Sequence, residues 1–238
     1  PYQFAPRTWN AIRRLPLGVR QLMVKLLNGL PMPAKAFKLL RVLPSKDRQN
    51  FYHILMTHWQ NSLQIVVGSK QNPTIFNTQN HWPQASSFEE WMMAIDANQY
   101  MIDDILVKVD RSAMANSLET RVPMLDHRVV ELAWRFPLNL KIRDGVGKWI
   151  LRQLLYRYVP KNLIERPKKG FSIPLAHWLR GPLRDWAESL ISEDRLLTEN
   201  FLNAQIVRKT WNEHISGKRD HANRLWNVLM FQAWLENK

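Results

Sequence analysis

The sequence predicts a mostly α-helical protein, and three observations carry that prediction. Apolar residues recur at helical spacing in three separate segments, strand signals are confined to one short stretch, and the composition is that of a packed chain. Of 238 residues, 45% are hydrophobic and 23% charged, with 11 Trp and 9 Phe. This excludes simple disorder, which needs few apolar residues and high net charge. Each buried aromatic ring also removes a large area from water.

Residues 1–50 read as short helices interrupted at Pro16, Pro31 and Pro33, each of which lacks a backbone donor and blocks helix continuation. A further helix is expected over 50–66. Gly68, Asn72-Pro73, Asn77 and Pro83 then mark a loop-rich stretch over 67–86. Ser87 and Glu90 have capping-box spacing. Phe88, Trp91, Met92 and Ile95 follow at i, i+3, i+4 and i+7, one face of a helix. Helical character should persist from Tyr100 to Val109, with breaks. Residues 140–143 are the one strand candidate, ahead of a glycine turn, and an apolar helical pattern runs from Trp149 to Tyr158. Gly181-Pro182 opens a helix striped by Leu183, Trp186, Ala187, Leu190 and Ile191. Asp220 is placed to cap a last long helix, whose stripe includes Ala222, Leu225, Leu229 and Trp234.

No apolar run is long enough to cross a bilayer, no secretory signal opens the chain, and there is no Cys. Disulfides, thiolate metal sites and Cys nucleophiles are therefore excluded, and a reducing, cytoplasmic setting fits. Residue 1 is Pro rather than Met, so the sequence reads as a piece of a longer product. The net charge of +14 is uneven: residues 1–50 hold ten basic residues against the single acid Asp47. Such a segment suits a polyanion, a solvated helical face, or a face that meets acids elsewhere. Apart from Trp9 and Phe37 its basic residues are not interleaved with a base-stacking platform, which disfavours nucleic acid.

Several signatures of chemistry are missing. There is no HExxH, no GxSxG and no GxxxxGKS/T loop, the seven His show no metal-ligand spacing, and no two Gly are adjacent. The dense region is 103–148. Asp103-Asp104 could hold Mg²⁺ through oxygen, act as a base, or simply open a helix. Glu119, Arg121 and Asp126 flank apolar Val122 and Leu125, which reads as charges embedded beside a core segment. Buried charges must pair, so Glu119–Arg121 or Arg121–Asp126 bridges are expected. Lys148 falls at a helix N-terminus, where the dipole disfavours a cation. It is either a point charge for phosphate or an exposed turn residue. Arg166 to Phe171 (RPKKGF) forms a compact basic turn.

Three ordered motifs resemble the C-terminal synthetase domain of glutamine-dependent asparagine synthetases: Leu106 to Asp126 (LVKVDRSAMANSLETRVPMLD), Gly147 to Arg152 (GKWILR) and RPKKGF. The resemblance is strongest over about residues 86–180, and residues 1–85 fit only by position. It divides the chain into a variable basic helical region, 1–85, and a C-terminal portion of the synthetase domain, 86–238. It implies that this mostly helical segment belongs to an α/β fold of the ATP-pyrophosphatase type with a parallel sheet. The implied activity uses ATP and Mg²⁺ to turn aspartate into a β-aspartyl-adenylate, which glutamine-derived ammonia converts to asparagine.

Residue by residue, Lys148 matches the catalytic Lys that meets the leaving pyrophosphate. Asp104 lies near the active-site acid, with Asp103 the alternative in register and the implied metal contact. Lys108 and Arg111 fall where the family has basic residues near the nucleotide, and Glu119, Arg121 and Asp126 match its structural signature. The family's SGGxDS phosphate loop, its acidic Gly-rich loop and its glutaminase Cys are missing. The segment alone is therefore expected to be inactive, and its uncovered surfaces invite homo-oligomers. An amidotransferase acting on another carboxylate, such as a polysaccharide sugar, remains open. So do a basic nucleic-acid-binding helical module and a regulatory fragment in which the ion pairs serve packing alone.

Overall fold

In the computed structural model, which describes residues 2–27, 30, 33–60, 62–70, 73–75, 78, 82–166 and 173–238, helices dominate. Five come first: α1 (Phe4–Ile12), α2 (Leu17–Leu27), α3 (Ala34–Val42), α4 (Arg48–Met56) and α5 (Ser62–Ile65). Next are α6 (Phe88–Asn98), a π-helical segment (Met101–Leu106), α7 (Val107–Met114), α8 (His127–Arg135) and α9 (Leu138–Lys141). A hairpin of β1 (Ile142–Arg143) and β2 (Val146–Gly147) leads into α10 (Trp149–Leu155) and α11 (Lys161–Ile164). The chain ends with α12 (Leu175–Arg180), α13 (Arg184–Leu190), α14 (Glu193–Glu199), α15 (Ala204–Ile215) and α16 (Ala222–Glu236). The mostly helical reading holds. Among the described residues the only sheet is the β1–β2 hairpin.

Local signals explain several boundaries. Pro16 precedes α2 and Pro33 caps α3, while Pro31, Asn72, Asn77 and most of RPKKGF lie outside the described residues. Ser87 Oγ accepts the Glu90 N–H at 3.1 Å, one half of the expected box. Asp220 Oδ1 accepts the Ala222 N–H at 3.0 Å and so meets the first turn of α16, but the cap position itself falls on His221, one residue later than expected. Pro182 does not start a helix: it sits in a turn, and α13 begins at Arg184.

The chain forms two compact units made of interleaved segments. The first comprises residues 1–19, 46–52 and 73–169. Its core is aromatic: Tyr52 packs edge-on against Phe88 and Trp91, and Phe51 meets Trp9. In the last turn of α6, the Asp96 carboxylate accepts hydrogen bonds from Tyr2 at 2.5 Å and from buried Tyr52 at 2.7 Å. Burial and these bonds to Asp96 push both phenols well above the ordinary tyrosine range.

The second unit comprises residues 20–45, 53–72 and 170–238. Its core draws Leu179, Leu190, Val207, Trp211, Leu225 and Leu229 from α12, α13, α15 and α16, with Ile191 just after α13. Ile65 of α5 joins this core, and a β-bridge pairs Val66 with Leu202. Arg20, one of the ten early basic residues, is buried here. Its guanidinium donates to the carbonyls of Leu43 and Ser45 at 2.8 and 2.7 Å, satisfying acceptors beyond the end of α3.

Four imidazoles of this unit, His53, His58, His214 and His221, are held below the ordinary histidine range, each chiefly by burial. Their folded values lie below the unfolded value of about 6.5, so on acidification the unfolded chain takes up protons first. Stability is then complete above about pH 6.5 and falls as pH drops toward the folded values. Urea midpoints should decline between pH 7.5 and 5.5. The slope approaches about 1.4 kcal/mol per pH unit for each imidazole that stays neutral in the fold. A flat profile would contradict the buried, neutral state of His214 and His221.

Candidate active site

The best-matched motif, 106–126, begins in an unusual backbone. α6 ends at Gln99, and the chain then widens into the π-helical segment that carries Asp103 and Asp104. Such wide turns recur at functional sites. The segment distinguishes the two acids. Asp104 forms an i, i+4 ion pair with Lys108 at 3.1 Å, whereas exposed Asp103 has no side-chain partner among the described residues. A pair of this kind is worth only about 0.2–0.5 kcal/mol, weak enough to yield to a phosphate. Arg111, one turn beyond Lys108 on α7, is exposed.

The signature acids and Arg121 are not embedded. Arg121 bridges Glu119, but both side chains are exposed, as are Leu118, Val122 and Met124. The expected core segment is absent because nothing among the described residues covers it, and an exposed pair contributes at most about 1 kcal/mol. Arg121 does not pair with Asp126. Asp126 instead caps α8 by accepting the Arg128 N–H at 2.9 Å and binds the Arg128 guanidinium through both oxygens, at 2.9 and 2.8 Å. Arg128 accordingly holds the Asp126 carboxyl below the usual carboxylate range.

Lys148 stands on a rigid support. The turn joining β1 to β2 is Asp144-Gly145, both with positive φ (50° and 76°), which matches the mirror-image turn favoured in two-residue hairpins. Ile142 pairs with Gly147, so the hairpin ends directly before Lys148. Lys148 caps α10 in the left-handed region, φ 56° and ψ 36°, where a side chain with a Cβ is strained. It is exposed and makes no ion pair among the described residues.

Sequence reasoning missed the residue that fixes this backbone. Arg152 Nε donates to the Gly147 carbonyl at 3.1 Å, and its Nη1 meets Glu165 at 2.5 Å. Tyr156 also donates to Glu165, and these two partners hold the Glu165 carboxyl below its ordinary range. The signal was the spacing within GKWILR, which sets Arg152 one helical turn after Lys148. Arg143 also stacks over the Trp149 ring at 4.6 Å.

A cavity of about 240 Å³ is lined by Trp9, Arg13, Arg48, Phe88 and Glu89 among others, and one of about 130 Å³ by Lys38, Arg41, Val42, Ile54 and Leu55. Neither includes Lys148, Asp103 or Asp104. Among the described residues no group of three His, Asp or Glu could hold a metal. The motif region is also open on its apolar side: the π segment and α7 to α11 bury no residue, and Val129, Leu132, Trp134, Leu151, Leu154 and Leu155 are exposed. α8 in particular has well-separated apolar and charged faces, the pattern of a helix with a partner.

Comparison with known proteins settles the family. The sequence model for asparagine synthase matches residues 1–236. The chain belongs to the asparagine synthase family. The match takes in residues 1–85, where the motifs alone gave only a fit by position. The chain is 29% identical over 236 residues to glutamine-hydrolysing asparagine synthetase 1 of Bacillus subtilis (strain 168), covering 96% of this chain and 37% of that protein. A Mycobacterium tuberculosis (strain ATCC 25618 / H37Rv) relative named for the same activity is 40% identical over 144 residues, covering 60% of this chain and 22% of that protein. The mouse glutamine-hydrolysing asparagine synthetase is 25% identical over 160 residues, covering 60% and 28%. The chain therefore spans well under half the length of these family members. No solved structure matches it significantly. No helix among the described residues is long and apolar enough to cross a membrane.

Proposed function

We propose that this chain forms one wall of the synthetase site of an asparagine synthetase-type ligase that joins ammonia from glutamine to the side-chain carboxylate of aspartate. The observation that carries this reading is Lys148, an exposed cation held against both backbone strain and helix dipole at the end of a pinned hairpin. Local cost retained at one residue is the mark of a functional position.

In the proposed reaction the aspartate β-carboxylate oxygen attacks the α-phosphorus of ATP. The bond from that phosphorus to the bridging oxygen breaks, and pyrophosphate leaves. Lys148 supplies a fixed positive charge to the departing diphosphate, which gains negative charge as the bond breaks. Lys108 and Arg111 add charge along the nucleotide, with Lys108 exchanging Asp104 for a phosphate oxygen. Asp104 is then freed as the site's acidic side chain, a hydrogen-bond acceptor beside the nucleotide. Mg²⁺ bound with ATP would neutralise phosphate charge. It takes one or two protein carboxylates, and Asp103 fits as a single ligand rather than as part of a cage. Ammonia finally attacks the acyl carbon of the β-aspartyl-adenylate, AMP leaves with the bonding pair, and the attacking nitrogen passes a proton to water to give asparagine. Glu119, Arg121 and Asp126 hold the loop ahead of α8.

The bare face of α8 and α10 supports the same reading. In the synthetase it is covered by the part of the domain that carries the phosphate-gripping loops. ATP–pyrophosphate exchange with aspartate tests this. The 238-residue chain alone should give no exchange, and the complete synthetase domain should give it. Exchange by the chain alone would overturn the division of labour. Exchange in the complete protein with a different carboxylate, and none with aspartate, would reassign the acceptor.

A further inference from the structure

The second unit contains a cluster of positive charge that the synthetase reading leaves unused. Arg41 of α3 donates from Nη2 to the Thr57 carbonyl at 2.8 Å, and Arg224 of α16 donates from Nε to the His58 carbonyl at 2.9 Å. These two acceptors are consecutive in the chain, so the two guanidiniums are anchored on neighbouring peptide groups. Arg224 also lies over the Trp59 ring at 5.6 Å, and Arg219 over Phe37 at 4.9 Å. Lys38 stands one turn before Arg41 on the same helix, and both line the cavity of about 130 Å³, several water volumes.

Capping accounts for part of this arrangement. Arginines at the end of α4 satisfy carbonyls and favour the negative end of its dipole. Capping does not explain why Arg41 Nε is buried without a hydrogen-bond partner among the described residues, although a buried unsatisfied donor costs about 1–3 kcal/mol. Nor does it explain why like charges are gathered. Burial first, and then Arg41 and Arg219, hold Arg224 below its ordinary range, and His58 is lowered by burial and by Arg41 and Arg224. The carboxylate acting on Arg224 is Glu213, which is itself hydrogen-bonded to His221 at 2.8 Å.

We propose that Lys38 and Arg41, which line this cavity of the second unit, form a binding site for a phosphate-type dianion. The bound oxyanion would accept from Lys38 in the cavity, and its negative charge beside Arg41 would relieve the repulsion between Arg41 and Arg224. The walls given by Val42, Ile54 and Leu55 limit the occupant to a single phosphate group, either free or as the end of a small monoester.

The test is ³¹P NMR titration of inorganic phosphate and of glycerol phosphate with the 238-residue chain, at constant ionic strength. Saturable binding is expected, and tighter binding of one probe identifies the free ion or the ester as the source. Lys38→Gln, at an exposed position that leaves the fold intact, should weaken binding at least fivefold, and Lys38→Gln with Arg41→Gln at least tenfold. Chloride at matched ionic strength should not compete. The proposal is overturned by the absence of a saturable change, by unaltered affinity in Lys38→Gln, or by equal displacement with chloride. It is also overturned if the chain retains RNA with a steep salt dependence but shows no saturable phosphate binding, since the charge then serves a nucleic-acid surface.

Discussion

If Lys148 serves the proposed synthetase reaction, replacing it with Ala in the complete protein lowers aspartate-dependent pyrophosphate release by about 10²–10³-fold while leaving the melting temperature in place. Ala keeps a Cβ, so the left-handed backbone at φ 56° stays as strained as before and only the ammonium is lost. The loss should fall on kcat rather than KM, because a charge aimed at the leaving diphosphate acts most strongly as the bond breaks. Lys148→Gly separates the two contributions. Glycine adopts this backbone freely, and the strain it removes is about 1–2 kcal/mol, partly offset by the greater freedom of an unfolded glycine. Activity should collapse as it does with Ala while stability holds or rises. A variant that is more stable and inactive marks strain kept for function. If Ala and Gly both retain turnover, Lys148 is a turn residue. If both lose turnover and stability in equal measure, it serves packing. Arg152→Met adds a check on positioning. It removes the bond to the Gly147 carbonyl without touching the ammonium, and kcat should fall less than in Lys148→Ala.

Much of the fold could be read from local signals, and the parts that could not share one physical cause. The Ser87 cap and the break at Pro16 are decided within a few residues, and the structure follows them; the stripe of α16 is buried at Ala222, Leu225 and Leu229 but not at exposed Trp234. α15 was equally readable and was passed over. Asn203 accepts the Ile206 N–H at 3.1 Å, and Ala204, Val207, Trp211 and His214 form its buried stripe. The π-helical segment was invisible, since no residue type encodes a turn of that width. Charge was misread where burial had to be guessed. Glu119 and Arg121 look like a buried network because apolar residues surround them in sequence, yet that stretch is exposed in this chain. Arg20 shows the opposite error: within a run that looked solvated, it is buried on two carbonyls. Sequence patterns report which groups can pair but not which surface covers them. Lys148 was found through its motif, whereas Arg152 emerged only once its bond to Gly147 was seen.

The contrast between covered and uncovered surface yields the second large expected effect. Trp211→Ala should destabilise the second unit by about 3–5 kcal/mol, a large share of the 5–15 kcal/mol typical of a domain. Trp211 is 2% exposed in the cluster with Val207, Leu225 and Leu229, and its indole N–H donates to Glu188. Truncation leaves a cavity and leaves Glu188 with Arg208, at 2.6 Å, as its remaining partner. Trp134→Ala is the control, made on the same residue type. Trp134 on α8 is 43% exposed, with Lys141 over its ring at 5.1 Å, and its loss should cost less than about 1 kcal/mol in this chain. Hydrogen exchange read peptide by peptide is the suitable measurement, because two compact units need not unfold together. For Trp211→Ala, protection should fall across α12 to α16 and hold over α6. If Trp134→Ala proves as damaging as Trp211→Ala, the apolar side of α8 is already covered within this chain, and the case for an outside partner fails. If the two behave as expected here while Trp134→Ala destabilises the complete synthetase, the difference between the two settings measures what the rest of the domain contributes at that face.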